Sequence, residues 1–228
     1  MRMKHIFLYI GLVVLMSAGS LRIVAQTKIS TSEFTIARLK YSGGGDWYND
    51  PSSLPNMLEY LRQHTSIRAA QEEARVSLVD EDLFSYPFLF MTGHGRISFS
   101  TKEAERLYIY LTNGGFLFAD DDYGMDKHFH REMKKVFPDK DMIEIPFSHA
   151  IFHNHYDFPS GLPKIHEHDG GPPKAFAYFH NGRMVAFYAA NTNISDGWAD
   201  PDVHGDPLSV REKALQMGAN IIIYSMTQ

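Results

Sequence analysis

Short apolar runs alternate with amphipathic segments along the first two thirds of the chain. Residues 34–40 alternate between apolar and polar positions, which predicts a half-buried strand, and residues 76–79 predict a short second strand. Residues 88–92 and 116–119 are continuous apolar runs, which are typical of strands buried on both faces. The spacing of these runs predicts a sheet whose strands are separated by helices.

Helix signals occupy the intervals between these strands. Pro55 stands near the start of one helical pattern. Ser100 and Glu103 form a capping box at the start of a second helix, which is expected to end at Gly114. Asp126 is expected to cap a third. Strands that alternate with helices predict an α/β fold with a three-layer, mostly parallel, flavodoxin-like sheet.

A long irregular segment, residues 146–173, begins the last third of the chain. A segment of this length is functional or poorly ordered, and its aromatic content argues against disorder. A strand is predicted before it at 142–145. Two more are predicted after it at 175–179 and 183–189, joined by an Asn-Gly hairpin turn at 181–182.

The end of the chain carries a second capping-box pattern. Ser209 and Glu212 are spaced so that they predict the start of a helix. This helix is expected to continue through Gly218 to the end of the chain. The alternative is that it stops at Gly218 and gives way to a strand at 221–224.

Ligands of open parallel sheets bind beyond the carboxyl ends of the strands, which here selects the loops at 42–48, 93–96 and 120–124. Glycines beside His94 let the backbone approach a ligand closely. The candidate catalytic residues are His94, Asp121 and His166. The candidate ligand-binding residues are Gly44, Asp46, Trp47, Gly93, Asp120, Asp122 and Asn191.

Five of the twelve histidines lie within residues 149–168. Imidazole is the side chain most often recruited for metal binding, and in an extended segment residues two apart point to the same side. The candidate ligands of a divalent metal are therefore His153, His155, His166, His168 and Asp169. The alternative is that these histidines pack or form hydrogen bonds in a loop. The acidic segment 196–202 is a further cation candidate, although it lacks the EF-hand pattern.

Residues 1–25 have a basic start, an apolar run at 6–16 and small residues that lead to Ala25. This layout predicts a signal peptide cleaved after Ala25, followed by a single domain at 26–228. The protein is then exported to the periplasm or the cell exterior and is not an integral membrane protein after cleavage. The alternative is that the segment stays in place as an N-terminal anchor.

Composition excludes several classes of chemistry. The chain has no cysteine, which excludes disulfides, thiolate nucleophiles and cysteine-type zinc sites. Its formal net charge is −5 and it has no basic run, so a nucleic-acid partner is not expected. The cofactor is left open, with a divalent metal as the candidate.

Residues 113–121 (NGGFLFADD) resemble the central strand and elbow of class I glutamine amidotransferase-like domains, above all the ThuA-like branch. The stretches YSGGGDWYNDP, FMTGHG and GLPKIHEHDG, with the ending VREKALQMGANIIIYSMTQ, are similar to the bacterial family called domain of unknown function 4159. The resemblance covers nearly the whole mature chain. It implies an amidotransferase-like fold in an exported or membrane-associated protein, and it implies no known activity.

One departure from the amidotransferase pattern limits the function. Glutaminase chemistry needs a cysteine at the elbow, where this chain has Asp120, Asp121 and Asp122, so it is not a glutaminase. Two functions remain. The first is a non-catalytic ligand-binding domain that recognises a small molecule, a glycan or an envelope protein. The alternative is a metal-dependent or His/Asp-based hydrolase that acts on an envelope or carbohydrate substrate. Whether the protein is an enzyme is left open.

Overall fold

A seven-stranded sheet forms the centre of the computed structural model, which describes residues 33–166 and 170–228. The described residues from Glu33 onward belong to one unit. The strands are β1 (Ala37–Lys40), β2 (Ala74–Ser77), β3 (Phe88–Met91), β4 (Phe116–Asp120), β5 (Ile143–Glu144), β6 (Lys174–His180) and β7 (Arg183–Ala190).

Five α-helices accompany the strands, of which the first three connect strands and the last two follow β7. They are α1 (Ser53–His64), α2 (Thr101–Thr112), α3 (Asp126–Val136), α4 (Pro201–His204) and α5 (Leu208–Thr227). Short 3₁₀ helices lie at Glu81–Ser85, Ala150–Phe152 and Asp196–Trp198. The predicted alternation of strands and helices is confirmed.

The strand order in the sheet is β2-β1-β3-β4-β7-β6-β5. The first five of these strands are parallel, while β6 pairs antiparallel with β7 and β5 antiparallel with β6. Counted along the parallel strands alone, the order is that of flavodoxin-like sheets, in which a ligand crevice opens between the first and third strands. A ligand site is therefore expected at the loops that follow β1 and β3.

Apolar side chains of alternating strand positions pack into two cores, one on each face of the sheet. Helices α1 and α5 cover one face, where Trp198 packs against Phe90 and Phe118. Helices α2 and α3 cover the other face, where Phe129 stacks on Tyr188 with ring centres 4.5 Å apart. The three-layer α/β fold predicted from the sequence is confirmed.

Helix starts were predicted with mixed success. The Ser100 capping box is confirmed, because its side chain accepts a hydrogen bond from the Glu103 amide. The capping box predicted at Ser209 is wrong, because α5 begins at Leu208, one residue before that serine. The residue before the helix is Pro207, and no side chain caps the helix start. Asp126 is not a cap either. It is the first residue of α3, after Met125.

The chain end and the hairpin follow their predictions. Helix α5 continues through Gly218 to Thr227, so the helical alternative is confirmed over the strand. Asn181 and Gly182 both have positive φ angles, 50° and 81°, as a tight two-residue hairpin turn requires. The long segment before the hairpin is packed and not structureless, because Phe152 and Phe158 lie buried in the core.

The predicted signal peptide, residues 1–25, lies outside the described residues. Within residues 33–166 and 170–228, no helix combines the length and the apolar character needed to cross a bilayer.

Candidate functional site at the carboxyl edge of the sheet

The loops that follow β1, β3, β4 and β7 meet at the carboxyl edge of the sheet. Parallel neighbours end at the same edge, so residues distant in sequence become neighbours there. The Tyr41 hydroxyl, after β1, donates a hydrogen bond to the Thr92 carbonyl oxygen after β3, at 3.0 Å. A side chain at Gly93 would place its Cβ 2.3 Å from that hydroxyl, and φ there is 138°, so this close crossing requires glycine.

His94 lies between two carboxylates at this edge. Its Nδ1 is 3.0 Å from an Asp46 oxygen and 3.1 Å from an Asp122 oxygen. Partial burial lowers the pKa of the imidazole, but the two carboxylates outweigh that effect, so the pKa of His94 is raised overall. Half of the side chain is exposed, so the ring is accessible to a ligand and is placed to transfer a proton.

The Asp122 carboxylate is buried and held by amide groups. The Asn193 side chain donates to one of its oxygens at 2.9 Å, and the Asn49 side chain donates to the other. Burial, with the nearby Asp196 charge, raises the pKa of Asp122 to about 7, against the opposing effect of His94. The two amides therefore fix the position of the carboxyl group, and its protonation state changes with pH near neutrality.

Asp196 is a further buried acid at this edge, with 3% of its surface exposed, the same fraction as Asp122. It belongs to a connected cluster of polar side chains, which consists of Asp46, Asp50, His94, Asp122, His166, Asn193, Asp196 and His204. One Asp196 oxygen, Oδ2, lies 3.0 Å from His166 Nδ1, 3.3 Å from the Asn193 amide nitrogen and 4.0 Å from His204 Nδ1. The other oxygen is buried and has no hydrogen-bond partner among the described residues. Burial raises the pKa of Asp196, while His204 and His166 oppose that rise.

Two groups of side chains in the described residues have the composition and closeness of metal ligands. The atoms of His166, Asp196 and His204 that could bind a metal lie within 4.8 Å of one another. The same holds for the oxygens of Asp50, Asp122 and Asp196. The first group offers nitrogen and oxygen, which suits zinc or manganese, and the second offers oxygen alone, which suits magnesium, calcium or manganese. Asp196 belongs to both.

Buried side chains behind the cluster hold its loops in place. The fully buried Asp120 carboxylate accepts hydrogen bonds from the Ser195 amide and hydroxyl, both at 2.7 Å, and so ties the end of β4 to the loop that carries Asp196. Burial raises the pKa of Asp120 to about 8, despite those bonds. The Trp198 indole donates to the Ala214 carbonyl oxygen at 2.9 Å and anchors the same loop on α5.

Asp121 is directed toward α3. Its carboxylate accepts hydrogen bonds from the Met125 amide at 2.9 Å and from the Tyr188 hydroxyl at 3.1 Å. Asp121 therefore holds Met125, the residue that directly precedes α3, in place. The same acid lines a cavity of about 230 Å³ together with Asp122, Tyr123, Asp126, Asn191 and Asn193.

Several other predicted ligand-binding residues lie in or beside the loops at this edge. Gly44 is exposed in the loop after β1, with φ at 96°. Trp47 in the same loop is half-buried and packs edge-on against Tyr48. Asn191 follows β7, and its side-chain oxygen accepts a hydrogen bond from Lys164 at 2.6 Å.

The structure places two of the predicted metal ligands elsewhere. His153 contacts the Asp157 carboxylate at 2.5 Å and the Phe147 carbonyl oxygen at 2.7 Å, and His155 packs against Tyr156. Neither belongs to a metal-type group among the described residues. The chain turns at 153–156, so the expectation for an extended segment does not apply to them. His168 and Asp169 lie outside the described residues.

Sequence reasoning missed three members of the cluster: Asp50, Asn193 and His204. Asp50 and Asn193 have positive φ angles, 44° and 56°, which asparagine and aspartate tolerate better than most residues. Asp196 lies in the acidic segment noted as a cation candidate, but no spacing links it to His166, 30 positions earlier. His204, at the end of α4, had no sequence signal of its own.

Together, the fold and the cluster define an α/β domain with flavodoxin-like strand order and a carboxylate–imidazole site at the carboxyl edge of its sheet. The chain belongs to the family described as Domain of unknown function (DUF4159), whose sequence model matches residues 35–226. None of the curated proteins compared with the chain matches it.

Proposed function

We propose that this protein binds a divalent cation through His166, Asp196 and His204 and uses that cation to recognise a small polar ligand. The observation that carries the proposal is the approach of two imidazole nitrogens to one carboxylate oxygen, at 3.0 and 4.0 Å. Two histidines with one carboxylate form a common set of protein ligands for zinc and related metals. Open coordination positions would be left for a ligand.

The cavity beside the cluster suits a ligand rich in hydroxyl or amino groups. Its volume of about 230 Å³ fits a small molecule or one unit of a glycan, and its wall includes three carboxylates and two side-chain amides. Asn193 joins the two regions, because its amide contacts both Asp122 and Asp196. A ligand in the cavity would therefore lie next to the cation.

The cellular setting is part of the proposal. The layout of residues 1–25 supports export to the periplasm or the cell exterior, where the ligand would be a small molecule, a glycan or a group on an envelope protein. The amidotransferase-like motifs support descent from a ThuA-like domain that lost its nucleophilic cysteine.

A second function, metal-dependent hydrolysis, is favoured by His94. This half-exposed imidazole contacts Asp122, and Asp122 is linked through Asn193 to the proposed cation ligand Asp196. A bound cation lowers the pKa of water and generates a nucleophile without a cysteine, and a nearby imidazole can carry the proton. The substrate class would be an ester or amide of the envelope.

Metal binding is tested on protein purified without an affinity tag and stripped with chelator. We expect isothermal titration with ZnCl₂ and elemental analysis to show stoichiometric binding that His166→Ala and Asp196→Asn abolish. The matched control is His153→Ala, which removes an imidazole from a carboxylate pair outside the cluster. Absence of binding, or equal binding by Asp196→Asn, would overturn the proposal in favour of protonated histidines that only pair with Asp196.

Hydrolysis is tested separately with chromogenic esters and amides added to the metal-loaded protein. A hydrolase should turn over at least one of them, and His94→Gln should lower kcat while the metal content stays unchanged. Binding of ligands without turnover across the panel would favour the non-catalytic function.

A further inference from the structure

We infer that the carboxyl edge holds a second divalent cation, bound by Asp50, Asp122 and Asp196, with the Asp196 carboxylate shared between the two cations. The inference rests on the proposed function, because it assigns the first cation to His166 and His204. It adds a second site with oxygen ligands alone.

The first argument is the unused oxygen of Asp196. Its Oδ2 faces His166 and Asn193, whereas Oδ1 is buried without a hydrogen-bond partner among the described residues. A buried carboxylate oxygen that is left without a partner is costly, and a cation is the partner that compensates most strongly. A carboxylate can bind one cation through each of its oxygens, so the unpartnered Oδ1 leaves Asp196 able to bind a second ion in addition to the one beside Oδ2.

The second argument is the position of two more carboxylates. Oxygens of Asp50 and Asp122 lie within 4.8 Å of each other and of an Asp196 oxygen, a spacing that one ion can span. Three carboxylates from three loops give the hard oxygen ligands that magnesium, calcium and manganese prefer. The loops after β1, β4 and β7 each supply one.

The third argument is the absence of a permanent counter-charge. Among the described residues, the ion pairs recorded for Asp50, Asp122 and Asp196 are all with histidine. The nearby buried guanidinium of Arg38 donates to the carbonyl oxygens of Asn49 and Asp50 and not to these carboxylates. Neither a lysine nor an arginine among these residues therefore neutralises the three carboxylates.

Two adjacent cations bridged by a carboxylate would change what the site can do. A pair of ions binds two oxygens of one ligand and stabilises the negative charge that develops in a hydrolytic displacement. The inference therefore favours a ligand with an anionic oxygen group, such as a phosphate ester or a carboxylate, over a purely neutral one.

The test measures metal stoichiometry with MnCl₂ as the probe. We expect two equivalents in the unmodified chain by elemental analysis after gel filtration, together with the electron paramagnetic resonance spectrum of two exchange-coupled Mn²⁺ ions. Asp50→Asn should lower the content to one equivalent and abolish the coupling. Asparagine suits the positive φ at this position, 44°, so the variant should fold. Asp122→Asn is the second variant, with the same expected result.

The matched control is Asp157→Asn, which removes a carboxylate from a histidine pair outside the cluster and should leave two equivalents. One equivalent in the unmodified chain that persists in Asp50→Asn would overturn the second site and leave the proposed function standing. No bound metal would overturn both. Two equivalents that persist in both Asp50→Asn and Asp122→Asn would overturn the assigned ligands.

Discussion

The Arg38 guanidinium is buried against the Glu73 carboxylate, with Nε 2.9 Å from Oε2 and 1% of the arginine side chain exposed. The other arginine nitrogens donate to the carbonyl oxygens of Asn49 at 2.9 Å and Asp50 at 3.3 Å. The Arg38 side chain thus joins β1 to the start of β2 and holds the loop that contains Asp50. The arrangement links the stability of the fold to the geometry of the candidate site.

Arg38→Met should lower the free energy of unfolding by about 3–5 kcal/mol, because it leaves a buried carboxylate without its main partner. The remaining contact of Glu73 with Arg75 at 2.6 Å should keep the loss near the lower end of that range. Equilibrium urea denaturation measures it. The double variant Arg38→Met/Glu73→Leu should recover much of the loss, and a loss below about 1 kcal/mol in the single variant would contradict the burial argument.

Ser100→Ala should cost about 0.5–2 kcal/mol, because the Ser100 side chain caps α2 and satisfies the Glu103 amide. Ser209→Ala should change stability by less than about 0.5 kcal/mol, since Ser209 is exposed and lies inside α5 without a capping contact. Thermal and urea denaturation of the two variants, measured side by side, compare their losses of stability. Equal losses would show that both serines act as caps.

Gly218→Ala should destabilise the protein by about 1–3 kcal/mol through overpacking. An added Cβ would lie 2.6 Å from the Trp198 ring and 2.7 Å from the Met57 sulfur. The indole is held by its hydrogen bond to Ala214 and cannot easily move away. The control is Gly170→Ala, where an added Cβ meets nothing within 4 Å. A stabilised Gly218→Ala would mean that the gain in helix propensity, about 1 kcal/mol, outweighs the clash.

His130 and Asp126 should titrate as a pair, since His130 Nε2 lies 3.3 Å from Asp126 Oδ1. The hydrogen bond between them raises the pKa of His130 and lowers the pKa of Asp126. The histidine contribution to stability is complete below its unfolded pKa, about 6.5, and is lost as pH rises through its higher folded value. The aspartate contribution is complete above about 3.9 and is lost as pH falls through its lower folded value.

The measurement is an NMR titration of the imidazole protons. Asp126→Asn should lower the pKa of His130. The pKa of His128, on the same helix, is lowered by burial and by Arg131, and should stay unchanged in the variant. A His130 pKa at or below its ordinary value in the unmodified protein would contradict the pairing.

Local sequence patterns predicted most of the secondary structure. The continuous apolar runs became β3 and β4, and the Asn-Gly pair became the turn between β6 and β7. These features depend on side chains that are close in sequence, so periodicity and turn preferences predict them. The Ser209 box failed because Pro207 fixes the backbone just before α5, which lets the helix begin before the serine.

The sequence by itself determined the α/β class, the alternation of strands and helices, and the placing of His94 and Asp120–Asp122 at strand ends, because each of these follows from local pattern. Tertiary structure decided which side chains meet. His166 reaches Asp196 and His204 through an irregular segment, and His153 pairs with Asp157 instead. In segments without periodicity, the path of the chain depends on what the core can bury, and spacing in the sequence does not record it.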